Sequence, residues 1–147
     1  MNHYVFCGFP GVGKSVADGK RKDVFDFESH GYSHDVLTGK RNRKFPKNYI
    51  DAVEEHMQDN YRAIYLLSCH DEVLKELKAR SIPYVIVLPY GDARNEYIKR
   101  YVSRGSSHEF VQRMYDNFYD WIFALAEDDA PKIYLGEGEY ISDVLPM

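Results

Sequence analysis

The run Gly8-Phe9-Pro10-Gly11-Val12-Gly13-Lys14-Ser15 has the spacing G-x-x-x-x-G-K-S. Each part answers a need of polyphosphate binding. The glycines let the backbone curl so that successive N–H groups converge on phosphate oxygens. The helix opening at Gly13-Lys14 adds its positive end. Lys14 can reach the β- and γ-phosphates of a nucleoside triphosphate, and the Ser15 hydroxyl can ligate magnesium. By composition alone such a run arises in roughly 0.5% of chains this long. Here it also follows an apolar strand and precedes a helix, so a chance glycine-rich turn is rejected. Gly8, Gly11, Val12, Gly13, Lys14, Ser15 and Val16 are the expected triphosphate-binding residues, with ATP and Mg2+ as the expected cofactors.

Asp26-Phe27-Glu28-Ser29 ends a second apolar run, on the side that the phosphate loop faces. A carboxylate there can orient or deprotonate an acceptor, or hold magnesium through water. No acid follows the third strand directly: Leu67 leads into Ser68-Cys69-His70-Asp71. That puts the weight on Asp26, together with Ser15 for the metal, while Asp71 reads as a helix cap. Glu28 is a further candidate for the acceptor.

Two basic clusters stand out against a net charge of -4. Lys40-Arg41-Asn42-Arg43-Lys44 lies where an acceptor would enter, and Arg41 and Arg43 can grip a phosphate through paired hydrogen bonds. Arg100 and Arg104 are four apart and so share a helix face. Such a helix can act as a lid, with its hinges at Gly91 and Gly105, and bring charge to a transferring phosphoryl group. The plain alternatives are a solvated loop and an ordinary charged helix face. His30 and His34 have a metal-ligand spacing, but Gly31 places them in a loop.

These residues need a frame. Tyr4–Cys7, Val24–Phe27, Ala63–Leu67, Tyr84–Leu88 and Lys132–Leu135 read as five strands. Helices are expected over Lys14–Ala17, stopped near Asp18-Gly19, and over Asn48–Gln58. A further helix is capped by Asp71, one by Asp92 and ended by Gly105, and a long one by a Ser106–Glu109 capping box. The long helix has the apolar face Phe110, Met114, Phe118, Ile122 and Leu125. Residues Gly31–Pro46 read as a mobile loop with room for a short helix. Strand and helix alternate throughout, which predicts an α/β fold with a parallel sheet and helices on both faces. Ligands then sit at the carboxyl ends of the strands.

The length of 147 residues sets the expectation of a single domain over 1–147, with a lid around 91–106. The acidic balance gives no overall attraction for a nucleic-acid backbone. Met1–Phe9 lacks a leader pattern, no apolar run is long enough for a membrane span, and Cys7 and Cys69 read as buried reduced thiols. The expected setting is the cytoplasm.

Taken together, the chain resembles the small P-loop nucleotide kinases, most closely the short phage-encoded adenylate kinase-like or deoxynucleoside monophosphate kinase-like proteins. The resemblance rests on Gly8–Ser15, Asp26–Ser29, Phe45–Tyr49, Ser68–Val73, Glu96–Tyr101 with Arg104-Gly105, and Asn117–Ile122. It implies a three-layer P-loop fold with the second and third strands to one side of the first. It also implies ATP as donor with magnesium, and a lid carrying Arg100 and Arg104. Lys14, Asp26, Arg100 and Arg104 are then the expected catalytic residues, and Asp26, Glu28, Arg41 and Arg43 the expected acceptor-binding ones. Only eleven residues separate Lys14 from Asp26, and the acceptor-binding arm of larger relatives is cut down. The leading expectation is phosphoryl transfer to a nucleoside or deoxynucleoside monophosphate. Two alternatives stay open: transfer to a hydroxyl of a nucleoside, nucleic-acid end or metabolite, and a non-catalytic nucleotide-binding module.

Overall fold

The computed structural model describes residues 2–35, 37–60 and 62–146. Five strands form one sheet: β1 (Asn2–Gly8), β2 (Val24–Asp26), β3 (Arg62–Ser68), β4 (Val85–Pro89) and β5 (Lys132–Leu135). Their order is β2-β3-β1-β4-β5, and every pairing is parallel. The second and third strands therefore lie to one side of the first, as expected. The register pairs Gly8 with Ser68 on one side and with Val87 on the other, while Asp26 pairs with Leu66. These pairings bring the ends of β1, β2 and β3 to one edge of the sheet.

Between the strands run α1 (Lys14–Lys20), α2 (His30–Ser33), α3 (Lys47–Asp59), α4 (Asp71–Ala79), α5 (Arg94–Ser103) and α6 (His108–Ala126). They cover both faces of the sheet in a three-layer arrangement. The central strands are buried on both faces: Val5, Phe6 and Cys7 in β1, Ala63 through Leu67 in β3, and Ile86, Val87 and Leu88 in β4. That is why they read as unbroken apolar runs rather than alternating ones. The expected face of α6 holds, with Met114, Phe118, Ile122 and Leu125 buried and Phe110 packed at its edge. Each buried aliphatic chain contributes about 1.5–3 kcal/mol.

Several boundaries differ from the sequence expectation. Helix α1 continues through Asp18-Gly19 to Lys20, because Gly19 faces open space and tolerates helical geometry. Helix α4 is capped by His70; Asp71 is the first helical residue, where its charge favours the helix dipole and pairs with Lys75. Asp92 caps nothing: α5 follows the turn at Ala93 without a side-chain cap. At α6 the cap is Ser107, whose hydroxyl accepts from the amide of Phe110 at 3.1 Å, so the box at Ser106 does not form. Ser106 belongs to the stop signal of α5 instead. Its amide reaches the Tyr101 carbonyl at 3.0 Å, the amide of Gly105 reaches Val102 at 3.1 Å, and Gly105 has φ +81°. The segment 34–46 holds an antiparallel bridge between His34 and Arg41, and α2 precedes it. Val36 lies outside the described residues.

Candidate active site

The amides and carbonyls of the phosphate loop divide cleanly. Lys14 Nζ donates to the Gly8 carbonyl at 3.2 Å and the Val12 amide to Phe9 O at 3.2 Å. Tyr101 OH donates to Pro10 O at 2.6 Å and Arg100 Nη1 to Gly11 O at 2.8 Å. The Ile141 amide donates to Val12 O at 2.8 Å and the Ala17 amide to Gly13 O at 3.1 Å. Every carbonyl from Gly8 to Gly13 is thus occupied. Among the described residues, no backbone carbonyl accepts from the amides of Gly11, Gly13, Lys14 or Ser15. A loop with its acceptors tied back and its donors free is built to receive an anion.

Sterics hold the same shape. Gly11 and Gly13 adopt φ of +94° and +92°, a region costly for other residues. A Cβ at Gly11 would meet Tyr101 Cε1 at 2.8 Å, and one at Gly13 would meet Tyr140 Cδ1 at 2.8 Å. The buried Tyr97 and Tyr101 of α5 and the tail residue Tyr140 form the bed on which the loop lies. The tail reaches it through a 3-10 turn (Ile141–Asp143) whose Ile141 is buried.

At the neighbouring strand ends, Tyr49 of α3 donates to the Phe27 carbonyl and accepts from the Ser68 amide at 3.4 Å. Burial raises its phenol above the ordinary value, so it remains a donor. This bond fixes the ends of β2 and β3 relative to each other, and with them Asp26 and Ser68. Burial also raises the Asp26 carboxyl, against the lowering pull of Lys14 and with a further rise from Glu28 and Asp18. Asp26 Oδ1 and Ser68 Oγ are both buried and have no hydrogen-bond partner among the described residues. Two unpaired buried oxygens beside a phosphate loop are places for a polar ligand, a water or a hydrated cation.

Asp26, at the end of β2, and Ser15, in the groove on the other side of the loop, are the residues that could meet a magnesium ion held largely by phosphate oxygens and water. Among the described residues no group of three or more His, Cys, Asp or Glu could hold a metal alone. His30 and His34 stack at 5.0 Å, and His34 Nδ1 is engaged by Ser33 Oγ at 2.8 Å. Cys7 and Cys69 are buried, which raises both thiols, Cys69 to about 12; neither is a nucleophile at neutral pH. Burial lowers His70, which favours its neutral imidazole.

A cleft of about 530 Å³ opens from the loop. Gly8 and Lys14 line one side, Glu28, Ser68 and His70 the strand ends, and Arg104 with Phe110, Arg113, Asn117 and Trp121 the far wall. A groove of about 620 Å³ runs along the other side of the loop, past Gly11, Gly13, Ser15, Val16, Lys99 and Tyr140. A third cavity, about 600 Å³, lies at the amino ends of the strands around Tyr4 and Tyr84, away from the loop.

The expected arginines part company. Arg104 faces the cleft, stacked on Tyr101 at 5.0 Å and Phe110 at 5.6 Å, with no carboxylate partner among the described residues. Arg100 is only 10% exposed. It is spent on the Gly11 carbonyl, Glu96 and the Glu139 carbonyl, between the rings of Tyr97 and Tyr140. Segment 91–106, read as a lid, is thus pinned at Arg100 and Tyr101. Arg41 pairs with Glu72 and covers Phe45, and Arg43 lines a separate depression with Lys47 and Asp51. Neither lines the cleft. Sequence reasoning did not assign Arg113 or the tyrosine bed. Arg113 shares the spacing of Asn117 and Trp121 on α6, a stripe visible beside the apolar face.

The parallel order β2-β3-β1-β4-β5, with a glycine-rich loop between β1 and α1, defines a P-loop kinase-like α/β fold. Among solved structures, the chain is similar to the tunicamycin resistance protein of Deinococcus radiodurans. The TM-score is 0.61 at 13% identity, over 97% of this chain and 89% of that one. At that identity the likeness concerns the fold alone. No protein-family model matches the chain, and no curated protein does. No helix among the described residues is long and apolar enough to cross a membrane.

Proposed function

We propose that the protein is a cytosolic kinase that moves the γ-phosphoryl group of ATP to a nucleoside or deoxynucleoside monophosphate. The observation that carries this reading is the cleft itself. Lys14 lines one wall, and the other carries two arginines, Arg104 and Arg113, without carboxylate partners among the described residues. Such a site suits an acceptor that arrives as an anion. The donor's phosphates would occupy the free amides of the loop, with the rest of the nucleotide in the groove past Val16 and Tyr140. An acceptor phosphate oxygen then attacks the γ-phosphorus, the bond to the β–γ bridging oxygen breaks, and ADP leaves. Lys14 and Arg104 balance the charge spread over the transferring group. Magnesium, when bound, would neutralise phosphate charge, with Ser15 and Asp26 as its protein partners. The resemblance to short phage nucleotide kinases supports the same reading.

One observation favours a second reading. The buried, unpaired Asp26 Oδ1 suits a general base for a hydroxyl acceptor, whereas a monophosphate is already ionised. The test is transfer from labelled ATP with magnesium to monophosphates, nucleosides and oligonucleotide 5′ ends, beside calorimetry of ATP binding. The expected result is diphosphate product, with ATP affinity sharply reduced in Lys14→Ala. Transfer to hydroxyls alone assigns the second reading. ATP binding without transfer to any acceptor makes the protein a nucleotide-binding module.

A further inference from the structure

The segment after β2, where an acceptor was expected to enter, gives the cleft Phe27, Glu28 and Ser29 at its start, and none of the basic run at 40–44 lines it. Selectivity for the acceptor must then come from the strand ends and α6. Along α6, Arg113, Asn117 and Trp121 follow one another at four-residue steps and all line the cleft. Their chemistry is graded: a guanidinium, then an amide, then an indole. Arg113 stands at one end with Arg104, both within reach of the Phe110 ring, at 6.0 and 5.6 Å. Trp121 stands at the other, fixed against Phe9 at 4.9 Å and tilted by 31° to the His70 ring at 5.8 Å. Asn117 is oriented by donating one N–H to the Arg113 carbonyl at 2.9 Å. Its Oδ1 accepts from no donor among the described residues.

A nucleoside monophosphate has the same grading, with charge at one end, a hydrogen-bonding edge, and an aromatic face. Resting on the reading of this cleft as the acceptor site, we infer that α6 carries its base subsite. Trp121 with His70 offers the stacking surface, and the Asn117 amide reads the base edge as donor and acceptor at once. The specificity element thus sits on α6 and takes over from the shortened arm after β2.

Trp121 is the single tryptophan of the chain, so the site carries its own reporter. Each common ribo- and deoxynucleoside monophosphate is titrated into the full chain without ATP while Trp121 emission is followed. A saturable change with a clear ranking among bases is expected. Asn117→Ala should weaken the preferred monophosphate on the order of tenfold, one hydrogen bond's worth, and flatten the ranking. Its ATP affinity and melting temperature should stay at wild-type values. Flat emission with every monophosphate overturns the inference. So does a ranking that survives unchanged in both Asn117→Ala and Trp121→Phe, the latter followed by calorimetry. The kinase reading fails separately, through saturable monophosphate binding with no diphosphate formed, and in that case the base subsite stands.

Discussion

Arg100 donates a 2.8 Å hydrogen bond to the carbonyl of Gly11, so α5 holds the phosphate loop by its acceptor side. The guanidinium also bonds Glu96 and the Glu139 carbonyl, which ties the tail to the same point. An arginine so occupied keeps the loop's amides turned toward a ligand. Arg100→Ala should therefore cost about 1–3 kcal/mol of stability and weaken ATP binding together. Urea unfolding and calorimetry check both. Wild-type stability and ATP affinity with lost turnover would return Arg100 to a lid role.

Arg104 should behave differently. It lines the cleft, and among the described residues its side chain's only hydrogen bond is from Nε to Ser106 Oγ at 3.0 Å. Arg104→Ala is expected to lower turnover by about 10²- to 10³-fold, the range for removing one transition-state donor. Melting temperature and ATP affinity should change little. Steady-state kinetics beside a thermal melt separates this residue from Arg100.

Asp26 sets a pH dependence whose sign follows from burial. Its folded carboxyl titrates above the unfolded one, so the folded state holds the proton more tightly. Its contribution to stability is full below the ordinary aspartate value and is lost as pH rises through Asp26's own higher one. Asp26→Asn should consequently melt higher than wild type at neutral pH, and the difference should close in acid. Turnover should fall by about 10²-fold or more. A variant that melts lower at neutral pH, or keeps full turnover, contradicts the assignment.

Tyr49→Phe removes the hydroxyl that joins Phe27 O to the Ser68 amide and leaves both without that partner. About 1–3 kcal/mol of stability should be lost. ATP affinity should persist, because none of the loop's bonds runs through Tyr49. Equal losses in both quantities would mean that the β2–β3 ends and the phosphate loop form one unit.

The amino-acid sequence by itself determined the elements and the conformation of the loop between β1 and α1. Five apolar runs alternating with helical periods admit few arrangements other than a covered parallel sheet, and Gly8–Ser15 carries its geometry in its residue types. Asp26 was also legible, since its place depends only on the end of a local strand. Caps expected at Asp71, Asp92 and Ser106 each fall one residue away, at His70, Ala93 and Ser107, because the turn geometry and not the residue type alone chooses the position. Only the tertiary structure decided what became of the charges. Arg41, paired with Glu72, and Arg43 do not line the cleft, while Arg100 and Arg104, one helical turn apart, have separate neighbours. Which side chains meet across long chain separations, Arg100 with Gly11 or Trp121 with His70, depends on how the layers pack, and no local pattern encodes that.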